Sequence, residues 1–210
     1  EDLDAYLANP EAYLAAHPLP IRDELLKDRR PRTEWKLEDL ASAVEHLQGG
    51  RSYNNGKHLF QVANCAACHK LDGVGSEFGP DLAKLDAKLQ PVDILKELLD
   101  PSAKINEKFY QVKIQTVEGA QITGLVLSET PEKITLIENP LAAPKPIEIL
   151  KSDIEERQKV EVSLMPKGLL DKMTRDEILD LLAYIACRGN KQHPLFQGGG
   201  HEHGEHEHEH

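Results

Sequence analysis

The chain has 210 residues, 40% hydrophobic and 29% charged, enough for one domain with a generous core or for a small domain with substantial additions. No apolar run approaches the roughly 20 residues that a bilayer-crossing helix needs, which excludes a membrane span of that kind. A formal charge of −11 at pH 7 repels phosphate and excludes nucleic acid as a partner; the last ten residues hold four glutamates and no Lys or Arg, and what precedes them is still acidic.

Residues 1–50 read as a helical arm or linker, in short helices separated by proline. Leu3, Tyr6 and Leu7 have helical spacing, and Asn9-Pro10 pairs a cap with a first-turn proline. Leu37, Leu40, Ala41, Val44 and Leu47 form an apolar stripe that Gly49-Gly50 ends. Trp35, the only tryptophan, stands near Arg29, Arg30 and Arg32; the expectation is that it anchors the arm on the body of the protein rather than forming a docking patch.

A helix predicted from Asn55 to Ala63 leads into Cys65-Ala66-Ala67-Cys68-His69. C-x-x-C-H is the attachment pattern for c-type haem: two thiols on one turn add to the two vinyl groups of the porphyrin, and the adjacent histidine ligates the iron. A structural zinc site needs about four ligands, and the only other cysteine is Cys187, expected to be a buried inert thiol. A dithiol redox site needs a strand-helix-strand setting that the flanking residues lack. The cofactor expected is one covalently bound haem c, held through Cys65, Cys68 and His69. Haem of this kind is attached outside the bacterial cytoplasm, so the expected location is periplasmic or otherwise extracytoplasmic. The chain opens at Glu1 with no leader, which leaves open a removed signal peptide or a domain cut from a longer protein.

Asp72-Gly73-Val74-Gly75 is expected to be a loop at the haem edge, and Pro91 starts a helix with Ile94, Leu95, Leu98 and Leu99 on one face, closed by Asp100-Pro101. Next comes a strand-like segment. Val112, Ile114 and Thr116 alternate with polar residues, Glu118-Gly119 turns, Ile122 to Leu127 returns, and Ile134 to Ile137, Ile147 to Leu150 and Val160 to Val162 are further extended pieces. Residues 109–162 are therefore expected to be an inserted antiparallel sheet or partial barrel that shields one side of the haem. Helix resumes at the capping box Thr174-Arg175-Asp176-Glu177, with Ile178, Leu181, Leu182 and Ile185 inward and Gly189 as terminator. A flexible tail over 193–210 ends in alternating His and Glu. His201, His203, His206, His208 and His210 are possible transition-metal ligands, in either a native tract, which the break at Gly204 favours, or an affinity tag.

Several of these residues resemble class I cytochromes c. Gly56-Lys57-His58-Leu59-Phe60 is similar to their N-terminal helix, and Asp180-Leu181-Leu182-Ala183-Tyr184-Ile185 to the C-terminal helix it packs on, with Leu181 and Tyr184 meeting the glycine and the phenylalanine. Gly79-Pro80-Asp81-Leu82 resembles the stretch whose proline carbonyl accepts a hydrogen bond from the haem-ligating histidine. Ser163-Leu164-Met165-Pro166 resembles the loop that carries the distal methionine. The order of these stretches around Asp100-Pro101-Ser102 resembles, more narrowly, the haem-binding module of planctomycete and verrucomicrobial proteins.

The resemblance implies a mainly α protein: a cytochrome c-like haem domain over 51–108 and 163–192, carrying the β-rich insert and the N-terminal arm. It implies Met165 as the sixth ligand, since Met173, the only other methionine, abuts the Thr174 cap. Function is then one-electron transfer rather than catalysis, in a monohaem carrier serving a redox protein such as a dehydrogenase, a cupredoxin or a terminal oxidase. Two other readings stay open. One is a haem enzyme or a gas or peroxide sensor with a labile Met165; the other is a metal-handling module acting through the His-rich tail.

Overall fold

The computed structural model describes Arg29 and residues 32–106, 108–138 and 145–197. The helices expected within residues 1–28 and the five tail histidines lie outside the described residues. Four α-helices stand among the described residues: α1 (Leu37–Glu45), α2 (Tyr53–Val62), α3 (Pro91–Leu99) and α4 (Arg175–Ala186). With them goes one five-stranded antiparallel sheet, so the architecture is α+β rather than mainly α. That correction comes from the insert, in which four of the expected extended pieces pair as strands while the fifth strand runs over Ile154–Val160 rather than Val160 to Val162.

Each helix starts and stops where its own residues satisfy the backbone. Ser52 accepts from the Asn55 N–H at the head of α2, and Thr174 and Glu177 exchange both bonds of a capping box at the head of α4, at 2.7 and 3.3 Å. The end of α4 differs from expectation. Arg188, with φ +53°, takes the left-handed position, its N–H donating to Ile185 and that of Gly189 to Tyr184. This is a Schellman close in which an arginine precedes the glycine. Gly189 is also left-handed, and its α-carbon backs onto Asp72, where a Cβ would come within 2.6 Å of the Asp72 Cβ.

Helices α2 and α4 cross at Gly56. A Cβ there would stand 2.5 Å from the Asp180 carbonyl oxygen and 2.7 Å from the Tyr184 Cβ, so the expected helix pair forms, with Asp180 and Tyr184 as the residues against the glycine. Phe60 meets the Tyr184 ring edge-on at 5.8 Å. The core continues through Leu40 and Val44 of α1, Leu95 and Leu98 of α3, and Leu181 and Leu182 of α4. Trp35 packs against this core and its Nε1 donates to the Met173 carbonyl, so the second half of the arm is anchored as expected. Residues 193–197 are no loose tail: the Gly50 and Arg51 N–H groups donate to Gln197 and Leu195, and Phe196 meets Tyr53 edge-on at 5.5 Å.

The sheet runs β4-β3-β2-β1-β5, from β1 (Gln111–Thr116), β2 (Gln121–Glu129), β3 (Lys133–Ile137), β4 (Ile147–Leu150) and β5 (Ile154–Val160). In a flat sheet β4 and β5 would stand about 19 Å apart, four strand spacings. The connection from Leu150 to Ile154 reaches about 14 Å at most. The sheet therefore curls into a partial barrel, helped by register shifts near Leu127 in β2 and Glu155 in β5. Val112, Ile114, Ile134, Leu136 and Ile149 fill its interior.

Candidate haem-attachment site

The motif sits on a tight turn between α2 and a folded-back loop. Asn64 adopts φ +63°, a conformation that asparagine tolerates better than other residues with a Cβ, and so turns the chain out of α2. Cys65–Ala67 then form a single 3₁₀ turn, with the Cys68 and His69 N–H groups both donating to the Cys65 carbonyl. Neither cysteine is in a disulfide; Cys65 is buried and Cys68 partly exposed. Burial pushes the Cys68 thiol up to about 11. Among the described residues no three His, Cys, Asp or Glu side chains form a group able to hold a metal ion.

The loop after the motif wraps beneath it. Leu71 and Val74 exchange backbone hydrogen bonds across a turn whose central residues, Asp72 and Gly73, both have positive φ. Gly75 lies so close under the motif that a Cβ would collide with the His69 and Ala66 carbonyl oxygens. Ser76 donates through its hydroxyl to Ala67 and through its N–H to Ala66, and the Gly79 N–H donates to Cys68. This wrap is legible in sequence only as a Gly-rich loop; Ser76 carries no signal of its own.

His69 is fixed by two contacts. Its Nδ1 lies 2.8 Å from the Pro80 carbonyl oxygen. A carbonyl only accepts, so Nδ1 carries the proton and Nε2 keeps a free lone pair. A Cβ on Gly79 would stand 2.8 Å from Cε1 and 3.0 Å from Nδ1, so the backbone of residue 79 forms the wall of the ring's slot. Burial pulls the His69 pKa below its ordinary value and the Pro80 bond opposes that, which leaves a neutral ring at neutral pH. Two thiols on one turn and a neutral imidazole held in one tautomer fit a c-type haem: Cys65 and Cys68 would tether it and Nε2 of His69 would ligate its iron.

Met165 is partly buried and packs against the same core that contains Cys65 and Ala66. The loop carrying it is tied to the turn after α3. Ser163 donates its N–H to the Ser102 hydroxyl at 3.1 Å, Met165 donates its N–H to the Ser163 hydroxyl at 3.1 Å, and Lys167 pairs with Asp100 at 2.7 Å. Ser102, Ser163 and Lys167 were not recognisable as a set, because they face one another only after the insert folds. Met173 lies fully buried in the core, Cys187 is a buried thiol raised to about 11 by desolvation, and His58 is exposed.

Residues 53–124, about a third of the chain, match the cytochrome c family model. No curated protein matches the chain. The match takes in α2, the motif, α3 and the start of the sheet, and stops before Met165 and α4. The segment that carries Cys65, Cys68 and His69 is thus similar to a cytochrome c domain, and such a domain carries covalently bound haem c.

Proposed function

We propose that this protein is a monohaem one-electron carrier in which His69 and Met165 hold the two axial positions. Its expected location is outside the bacterial cytoplasm, with a dehydrogenase, cupredoxin or terminal oxidase as redox partner. The observation that carries the reading is the restraint on both ligand loops. Pro80 and Gly79 hold one ring orientation of His69, while two contacts tie the Met165 loop to Ser102 and Asp100 and a third, from the Met165 N–H to the Ser163 hydroxyl, braces the loop itself. When bound, haem c supplies a one-electron iron couple. Loops restrained in this way hold both ligands still through a change of iron charge, which keeps reorganisation small, and a thioether ligand raises the potential. Burial of Cys65, Leu59 and Phe60 on the core side excludes water from the site. The family match supports electron transfer rather than catalysis, without excluding a subunit of a larger enzyme.

The deciding experiment is absorption spectroscopy of the ferric and ferrous protein with Met165→Ala beside it. The wild type is expected to show the weak red sulfur-to-iron charge-transfer band and to bind carbon monoxide slowly. Met165→Ala is expected to abolish the band, lower the potential and open the iron to added ligands. Rapid carbon monoxide binding or strong peroxide turnover by the wild type would replace this reading with that of a sensor or enzyme.

A further inference from the structure

The partial barrel has two apolar faces. Its interior is closed by Val112, Ile114, Ile134, Leu136 and Ile149. On its outer face Leu125 of β2 and Ile137 of β3 sit directly opposite each other in the strand register, and both are buried. They are covered by Phe78, with Leu127 and Leu164 packed around them. Neither covering residue is incidental. Phe78 immediately precedes Gly79 and Pro80, which hold His69, and Leu164 immediately precedes Met165. A single apolar cluster on the barrel thus joins the two loops that present the axial ligands. The neck of the insert closes beside it, where Ser163 on the exit side donates to Ser102 on the entry side. Gly124 completes the arrangement, since a Cβ there would stand 2.7 Å from the Ile137 carbonyl oxygen and push β3 away.

We infer that the inserted barrel is a clasp across the two ligand loops, and that Leu125 and Ile137 are positioning residues for Met165. The physical reason is that the Met165 loop contains no regular secondary structure, so its closed position depends on what its apolar residues bury against. Leu164 buries against the barrel, and Phe78 fixes where the barrel stands relative to His69. Truncating the outer face removes that seat and leaves the thioether tethers at Cys65 and Cys68 untouched. The inference rests on the His/Met reading for its spectroscopic consequence, though the mechanical coupling of the two loops does not.

The test uses the full-length haem-loaded protein with Leu125→Ala, Ile137→Val and the combined Leu125→Ala/Ile137→Val variant, and Ile134→Val as the matched change inside the barrel. Amide hydrogen exchange is expected to rise in both peptides 76–82 and 163–167 in the outer-face variants, with α2 and α4 unchanged. Carbon monoxide binding is expected to quicken at least tenfold in the combined variant, with full retention of covalent haem. Ile134→Val is expected to change neither. An exchange increase confined to one loop, or an equal effect from Ile134→Val, overturns the clasp, as does an unweakened charge-transfer band in the combined variant when the wild type shows that band. A wild type without the band removes the His/Met reading, and the exchange measurement then decides the clasp by itself.

Discussion

Gly56 and Tyr184 touch where α2 crosses α4, the Tyr184 Cβ lying 2.7 Å from where a Cβ on Gly56 would stand. Because the Asp180 carbonyl oxygen is closer still, at 2.5 Å, a methyl group at 56 is resisted by backbone as well as by side chain. Gly56→Ala would gain up to about 1 kcal/mol of helix propensity. It is expected to lose more through overpacking, for a net destabilisation of about 1–3 kcal/mol. Thermal melting followed by circular dichroism checks this, with about 2–4 °C of Tm lost per kcal/mol.

Met173→Ala separates the two methionines. Met173 is fully buried in the core that the four helices share, so its truncation is expected to cost about 2–5 kcal/mol by denaturant titration. The red charge-transfer band is expected to keep its position and strength, in contrast to Met165→Ala.

The contacts of Asp72 make stability depend on pH in two windows. Hydrogen bonds from Lys57 and Tyr53 hold the Asp72 carboxyl below its usual value, and burial with the Asp72 contact pushes the Tyr53 phenol up to about 12. A depressed carboxylate stabilises above its unfolded pKa and is lost as pH falls through the folded value; a raised phenol stabilises below about 10 and is lost as pH rises through about 12. Denaturation midpoints of the wild type are therefore expected to fall at both ends. Asp72→Asn is expected to flatten the acid limb and Tyr53→Phe the alkaline limb, each at a cost near 1 kcal/mol or less at pH 7 for so exposed a cluster.

Ser102→Ala removes the acceptor for the Ser163 N–H at the neck of the insert. Leaving that partly buried donor unpaired is expected to cost about 1 kcal/mol and to quicken carbon monoxide binding by loosening the Met165 loop. Ser102→Thr, which restores a hydroxyl, is expected to recover the wild-type rate in stopped-flow measurements.

Features whose chemistry lies within a few consecutive residues were legible in the sequence. The motif from Cys65 to His69 occupies one turn, the Thr174–Glu177 box satisfies its own helix end, and residues alternating along 112–137 can bury one face only as strands. The Gly56 helix pair was legible only through its likeness to a known helix crossing, which put Leu181 against the glycine where the structure puts Asp180. Which atoms meet depends on the rotation of two helices separated by the whole insert. The same limit explains the rest. The curl of the sheet follows from a short β4–β5 link between opposite edges, the left-handed residue closing α4 is Arg188, and residues 193–197 are held by Tyr53 and by the backbone at Gly50 and Arg51. Phe78, Leu125, Ile137 and Leu164 look like ordinary apolar residues in sequence. Only the packing of a strand pair against two loops far away in the chain makes them one cluster, because burial is a property of the assembled surface and not of any local pattern.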